Sequence, residues 1–358
     1  MRVIRSITYI SVLALCLCTM TSALASRVVT DQLGRQVTIP DNVDRVVVLQ
    51  HQTLNLLIQL DAGQDLVGVL SSWKKQLGAN YLRLAPGLAT LPMPGDLTQV
   101  NIESLLALHP QVVFVANYAP AEMLAQIEQT GIPVIAISLR QDKSGEEGKM
   151  NPSMDDEEKA YNEGLKQGIR LIGEVVNRQP QAEALIDYTF TQRDIVTQRL
   201  ATLPADKRIR VYMANPGLTT YGSGKYTGLI MAHAGAQNVA TATIKGFKPV
   251  SIEQVLQWNP DVIFVQDRYP DVVHQIMSNP AWQTIDAVKN HRVYLMPEYA
   301  KAWGYPMPEA MAIGELWMAK TLYPERFSDI NMQQAASAYY QRFYKMPYAE
   351  ATRDADKQ

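Results

Sequence analysis

One phrase is written twice in this chain. "NIESLLALHPQVVFV" runs from Asn101 to Val115, and "SIEQVLQWNPDVIFV" runs from Ser251 to Val265. Both obey the pattern [N/S]-I-E-x-x-L-x-x-x-P-x-V-x-F-V, offset by 150 positions (251 minus 101). The first part of each copy has apolar residues at helical spacing, and the part after the proline is a β-branched run. Asn101 and Ser251 are good N-caps, and Glu103 and Glu253 fall in the first turn, where the helix dipole favours an anion. A helix that passes through a short break into a buried strand is a piece of an alternating α/β sheet. One copy per half predicts two α/β lobes.

The flanking segments agree. "RVVVLQ" (Arg45 to Gln50) reads as a strand, Thr53 to Leu60 as a helix and "DLVGVL" as a second strand. "AEMLAQIEQTG" is a helix closed by Gly131, and "PVIAIS" is the next strand. In the second half "RIRVYMAN" and "HRVYLMP" read as strands, and "TGLIMAHAGA" as a short helix. Strand and helix alternate at short spacing, which predicts parallel sheets covered by helices.

Between the halves lies a long helical region, broken at Asn177 to Gln179. Its second part, Pro180 to Leu203, starts on a proline as helices often do. It lacks the Gly and Ser of a floppy linker and predicts a rod tying the lobes together. The expected division is a first lobe over 27–178, a linking helix over 180–203, a second lobe over 207–347 and a polar tail over 348–358.

Residues 1–26 carry Arg2 and Arg5, an apolar run from about Ile7 to Leu17, and Ala23-Leu24-Ala25. That is the layout of a cleavable secretory signal, and the apolar run is too short to span a membrane. Cys16 and Cys18 both fall inside it. The expected mature protein therefore has no disulfide and no thiolate metal site. It is expected in a periplasm, as a monomer. The formal charge of −2 and the lack of any basic run exclude a nucleic-acid footprint. No H-E-x-x-H, C-x-x-C or G-x-S-x-G occurs, and the five histidines are scattered. Neither a dedicated free-metal site nor a hydrolase is supported. "YGSGKYTG" lacks the Walker spacing and reads as a tight turn into a helix.

These features resemble one family. They are the signal segment, "VTDQLGRQVTIPDNVDRVVVL" near the start, the repeated phrase, the linking helix, and "AWGYPMPEAMAIGELWMAKTLYPERF" near the end. Together they are similar to the periplasmic binding proteins of iron-siderophore, haem and vitamin B12 ABC importers. The resemblance covers about Arg27 to Phe343. It implies two doubly wound α/β lobes, one rigid joining helix with limited hinge motion, and a ligand in the cleft between the lobes. It implies no catalysis. The implied cargo is a metal chelate, an iron-siderophore or haem first. Cobalamin, a nickel or cobalt chelate, and an oxyanion such as molybdate are the alternatives. An exported hydrolase is a minor one.

In doubly wound sheets the loops after the carboxyl ends of strands face the crevice. That rule selects His51, Trp73, Lys74, Asn117 and Tyr118 in the first half. In the second it selects Tyr221, Lys225, Tyr226, Arg268, Tyr269, Tyr299, Trp303 and Tyr305. Aromatic rings bury flat ligands, and the cations pair with carboxylate, catecholate or net negative charge. His51 and Tyr299 are the expected direct metal ligands if a chelate leaves positions open. The resemblance also implies docking to a two-fold permease dimer through one exposed acid per lobe. These acids open the helix after the repeated strand, which selects Glu122 and Asp271. Glu103 and Glu253 are the runner-up pair, and dipole stabilisation alone also explains them.

Overall fold

The computed structural model describes residues 25–78 and 80–353. The expected signal segment lies, up to residue 24, outside the described residues. A hairpin of β1 (Ser26–Thr30) and β2 (Gln36–Pro40) precedes the first sheet. That sheet contains β3 (Val46–Val48), β4 (Leu66–Val69), β5 (Val112–Ala116) and β6 (Val134–Ile137), all parallel. The second sheet contains β7 (Ile209–Ala214), β8 (Ala236–Asn238), β9 (Val262–Val265) and β10 (Val293–Leu295), also parallel. The strand orders are β4-β3-β5-β6 and β8-β7-β9-β10. Both lobes thus reverse direction between their first and third strands, the point where open α/β sheets leave a crevice. The molecule is two doubly wound α/β lobes.

Both faces of these strands are covered, so they read as unbroken apolar runs rather than alternating ones. Val46, Val48 and Phe114 face one side of the first sheet, and Val47, Val113 and Val115 face the other. The repeated phrase forms the same unit twice. Helix α3 (Ile102–Ala107) is capped by Asn101, whose side chain accepts from the Ser104 amide. Helix α8 (Ile252–Trp258) is capped by Ser251, which accepts from the Gln254 amide.

Helix α1 is His51–Gln59, and α2 is Trp73–Leu77. Helix α4 is Ala121–Glu128, α5 is Glu157–Val175 and α6 is Gln179–Leu200. Helix α7 is Tyr226–His233, and α9 is Pro270–Ser278. The rod α6 is 22 residues long, about 33 Å at helical rise. It bears on both lobes. One apolar cluster runs from Val46 and Phe114 through Leu185 and Val196 of α6 to Val211 and Phe264. A core shared in this way opposes wide swinging of the lobes, since any large rotation would expose part of it.

The chain does not become a polar tail at 348. Tyr348–Ala351 is a short helix, and the Tyr348 ring packs edge-on to Tyr299 and Tyr340 at 5.1 and 4.9 Å. Apolar area there outweighs the polar character of the following residues. Among the described residues no helix is long and apolar enough to cross a membrane.

Candidate ligand-binding cleft

The carboxyl ends of the strands at the two reversal points face each other. From the first lobe come Gln50 and His51 after β3, Asn117 and Tyr118 after β5, and Arg140 three residues beyond β6. From the second come Asn215 after β7, and Gln266, Asp267 and Arg268 after β9. The loop after β10 adds Lys301, Trp303 and Tyr305.

Ring contacts bridge the lobes. The centroids of His51 and Trp303 are 5.4 Å apart, and those of Tyr118 and Tyr305 are 6.5 Å apart. Arg268 donates from Nη1 to Gln76 Oε1 of α2 at 3.4 Å. Asn80 donates to Glu298 Oε1 at 2.7 Å. Gly304 has φ +81, and a Cβ there would meet Tyr221 Cε1 at 3.3 Å. The glycine therefore serves both the left-handed turn and the approach of the Tyr221 ring.

Four cations converge here, and they are not equivalent. The Arg140 guanidinium is paired with Asp142, and it lies 5.8 Å from the Tyr305 ring centroid. Lys301 Nζ is 3.5 Å from Glu309 Oε1 and 4.8 Å from the Trp303 ring centroid. Lys225 Nζ donates to the Met150 carbonyl at 2.8 Å and lies 5.6 Å from the Tyr305 ring. Arg268 donates to the amide oxygens of Gln266 and Gln76 and stacks on Tyr269 and Trp303. Among the described residues, no carboxylate comes within 4 Å of Lys225 or Arg268. Burial, then the Arg140 charge, lowers the Lys225 ammonium to about 8.

A buried donor without a partner, the Trp303 Nε1–H, stands beside these charges. The Tyr305 hydroxyl and Arg140 Nη1 are buried as well, and the hydroxyl has the Arg140 guanidinium as its neighbour. A buried donor left unpaired is costly, and clusters of them mark places where a ligand completes the bonding. His51 Nδ1 and Asn117 Oδ1 are likewise buried and unpaired. Burial, reinforced by Arg268, holds the His51 imidazole down at about 3, so the ring is neutral. The nearby acids are restrained. Asp96 accepts from Ser71 and Ser72 at 2.5 and 2.7 Å. Burial pushes the Asp267 carboxyl up to about 7 against the opposing pull of Lys301.

The expected site residues divide. His51, Asn117, Tyr118, Tyr221, Lys225, Arg268, Tyr269, Trp303 and Tyr305 gather around the cleft. Tyr226 and Tyr299 do not, and are corrected to packing residues. Trp73 is buried at the start of α2, next to Ser72, which donates to Asp96. Tyr226 is buried against Tyr161 and donates to Glu315 Oε1 at 3.0 Å. Tyr299 is buried against Tyr348, so it is not placed with His51 as a metal ligand. Lys74 is exposed on α2, and Gln76 is the residue of that helix that reaches the second lobe. Among the described residues no group of three or more His, Cys, Asp or Glu side chains is arranged to hold a metal ion.

The model of the periplasmic binding protein family matches residues 46–300. The chain belongs to this family of periplasmic binding proteins. It is 63% identical over 327 residues to the molybdate-binding protein MolA of Haemophilus influenzae, covering 91% of this chain and 93% of that one. The molybdate-bound structure of MolA, a periplasmic binding protein cognate to an ABC transporter, superposes with a TM-score of 0.88. That match covers 90% of this chain and 99% of the other. A periplasmic solute-binding protein from Veillonella parvula is 26% identical with a TM-score of 0.74, covering 92% and 96% of the two chains. The Fe(3+)-citrate-binding protein YfmC of Bacillus subtilis is 23% identical over 274 residues, 75% and 78% of the two chains. The family is one of binding proteins, not enzymes.

In this periplasmic binding protein, Glu122 and Asp271 are both exposed in the first turn of the helix after a central strand, α4 and α9. Glu103 and Glu253 are also exposed, in the first turns of α3 and α8. Arg140, Lys301 and Asp267 lie outside the expected set. Arg140 follows "PVIAIS", a strand end of the kind that faces the crevice, so its signal is present in the sequence.

Proposed function

We propose that this chain is the periplasmic solute receptor of an ABC importer, and that its cargo is a tetrahedral oxyanion of the molybdate class. The observation that carries the reading is the pair of cations without carboxylate partners, buried Lys225 and half-buried Arg268, beside the unpaired indole N–H of Trp303. A tetrahedral dianion brings two negative charges and four acceptor oxygens, which is what such a site lacks. The 63% identity to a molybdate-binding protein supports the same choice.

The iron-siderophore or haem cargo has less support, since the relative at 63% identity is a molybdate-binding protein. Docking to the permease through Glu122 and Asp271 belongs to the same reading. Each acid is exposed at the equivalent place on its lobe, as a two-fold partner requires.

Calorimetric titration of the mature protein with molybdate, tungstate, a ferric siderophore, haemin and cobalamin tests the cargo. Molybdate and tungstate are expected to bind with one-to-one stoichiometry. Binding of haemin or the siderophore, with no response to either oxyanion, overturns the reading.

A further inference from the structure

The charge of the cleft is set from behind it. His51, Asn55 and Gln59 lie one helical turn apart on a single face of α1. His51 looks into the cleft, while Asn55 and Gln59 reach a carboxylate of the other lobe. Glu309 is fully buried, and its Oε1 accepts from Asn55 Nδ2 at 2.6 Å. Its Oε2 accepts from Gln59 Nε2 at 3.0 Å. The Tyr344 hydroxyl sits within bonding distance of both Glu309 Oε1 (3.0 Å) and Asn55 Oδ1 (2.7 Å). Tyr81 and Tyr339 donate to the outer ends of this network, at Asn55 Oδ1 and Gln59 Oε1. Buried carboxylates are tolerated when every lone pair is served in this way.

The network ends on a cation of the cleft. Lys301 Nζ lies 3.5 Å from Glu309 Oε1, with the Trp303 ring on its other side at 4.8 Å. The Lys301 backbone has φ +31 and ψ +60, a left-handed conformation that a lysine adopts only when its surroundings over-determine it. A single π-helical turn, Ala310–Gly314, starts immediately after Glu309. Such turns are rare and concentrate at functional sites. Two independent backbone irregularities thus flank one buried ion pair.

We propose that Glu309 is a positioning residue for ligand charge selectivity: it holds Lys301 behind Trp303 and cancels its charge, leaving Lys225 and Arg268 to match a dianion. This rests on the oxyanion reading above. Asp142 does the same for Arg140. Asp96, Asp267 and Glu298 are further acids around the cleft, and among the described residues none is paired with Lys225 or Arg268.

The test compares two ions of one shape. Molybdate is a tetrahedral dianion and perrhenate a tetrahedral monoanion. A change in the electrostatic potential of the cleft acts in proportion to ligand charge, so the logarithmic shift for molybdate is twice that for perrhenate. Glu309→Gln keeps the side-chain volume and removes the charge. Molybdate affinity is expected to rise about tenfold and perrhenate affinity about threefold. Lys301→Met is expected to lower them by the same factors, and it carries the test if the first variant fails to fold. Where perrhenate binds too weakly to measure, the sign of the molybdate shift decides. Equal shifts for both ions, or weaker molybdate binding by folded Glu309→Gln, show a merely structural role and overturn the proposal. A wild-type protein that binds neither ion overturns the oxyanion reading itself.

Discussion

The Lys225 ammonium is 2.8 Å from the carbonyl of Met150, a residue of the other lobe's loop from Gln141 to Met154. That loop also takes a hydrogen bond from Asn117 through the Glu147 carbonyl at 2.6 Å and one from Arg140 through the Lys149 carbonyl at 2.6 Å. It crosses one side of the cleft and is anchored by the cleft's own polar groups. A neutral carbonyl satisfies one proton of Lys225 and leaves its charge uncompensated, so the ammonium is poised for an anion.

Oxyanion affinity is therefore expected to fall as pH rises from 6 to 9. Lys225 loses its proton near 8, and an uncharged amine no longer attracts a dianion. Asp267 gains negative charge near 7, which acts in the same direction. Titrations of molybdate at half-unit pH intervals measure this, with affinity above pH 8 declining by at most about tenfold per unit for one proton. Lys225→Met should weaken binding at pH 7 and flatten the decline above pH 8. A decline of undiminished slope in that variant would show that another group is responsible.

Trp303→Phe separates the indole N–H from the ring. The ring still covers Lys301 and Arg268, while the buried unpaired donor is gone. A hydrogen bond to an ionic partner is worth about 1.5–3 kcal/mol, so molybdate affinity should drop about ten- to a hundredfold. Thermal stability of the ligand-free variant should hold or rise, because the unpaired donor cost it something. A matching loss of stability would mark Trp303 as a packing residue only.

Acid stability should turn on His233. Arg193 Nη2 and His233 Nε2 are 2.6 Å apart at the junction of α6 and α7, a contact that favours the neutral ring, while Glu158 Oε1 lies 3.1 Å from the same nitrogen. Burial, then Arg193, lowers His233 to about 3. The unfolded chain takes up that proton at ordinary histidine pH, so stability is lost as pH falls from about 6.5 to 3. Glu315 opposes this, since burial raises it to about 7. The folded protein gains that proton first, so stability rises as pH falls from 7 to about 4.5. The two nearly offset above 4.5, and below it the His233 effect is no longer offset and adds to that of His51, which is also held down to about 3. Thermal melts of His233→Gln at pH 7, 4.5 and 3.5 should show a smaller loss between 4.5 and 3.5 than wild type. An unchanged loss would assign the acid limb to other groups, of which His51 is the first.

How much of this could be read beforehand depended on the range of the interaction involved. The strands at Val46, Val112, Ile209 and Val262 announced themselves because both faces are buried. Strand β8, Ala236-Gln237-Asn238, did not, since its pairing with β7 comes from tertiary placement rather than propensity. At the cleft, position after a strand found His51, Lys225 and Arg268. Position could not tell Tyr305, which faces the other lobe, from Tyr299, which faces Tyr348. Both are tyrosines in the same loop, and only packing separates them. The Asn55–Glu309 bond spans 254 residues, beyond any local pattern.

Charge reversal at Glu122 and Asp271 should separate transport from binding. Both acids are exposed and lie at helix N-termini, where they are already favoured by the helix dipole. Reversal to lysine removes that stabilisation, a small surface effect, and replaces attraction to a basic permease surface by repulsion. Each single variant, Glu122→Lys or Asp271→Lys, should impair uptake, and the double variant should impair it further, because a two-fold permease engages both lobes. Molybdate affinity in solution should stay at the wild-type value, since neither residue contacts the cleft cations. Uptake into vesicles containing the permease, measured beside calorimetric affinity, reads both quantities. Wild-type uptake by the double variant would move the docking assignment to Glu103 and Glu253, whose reversal should then block it.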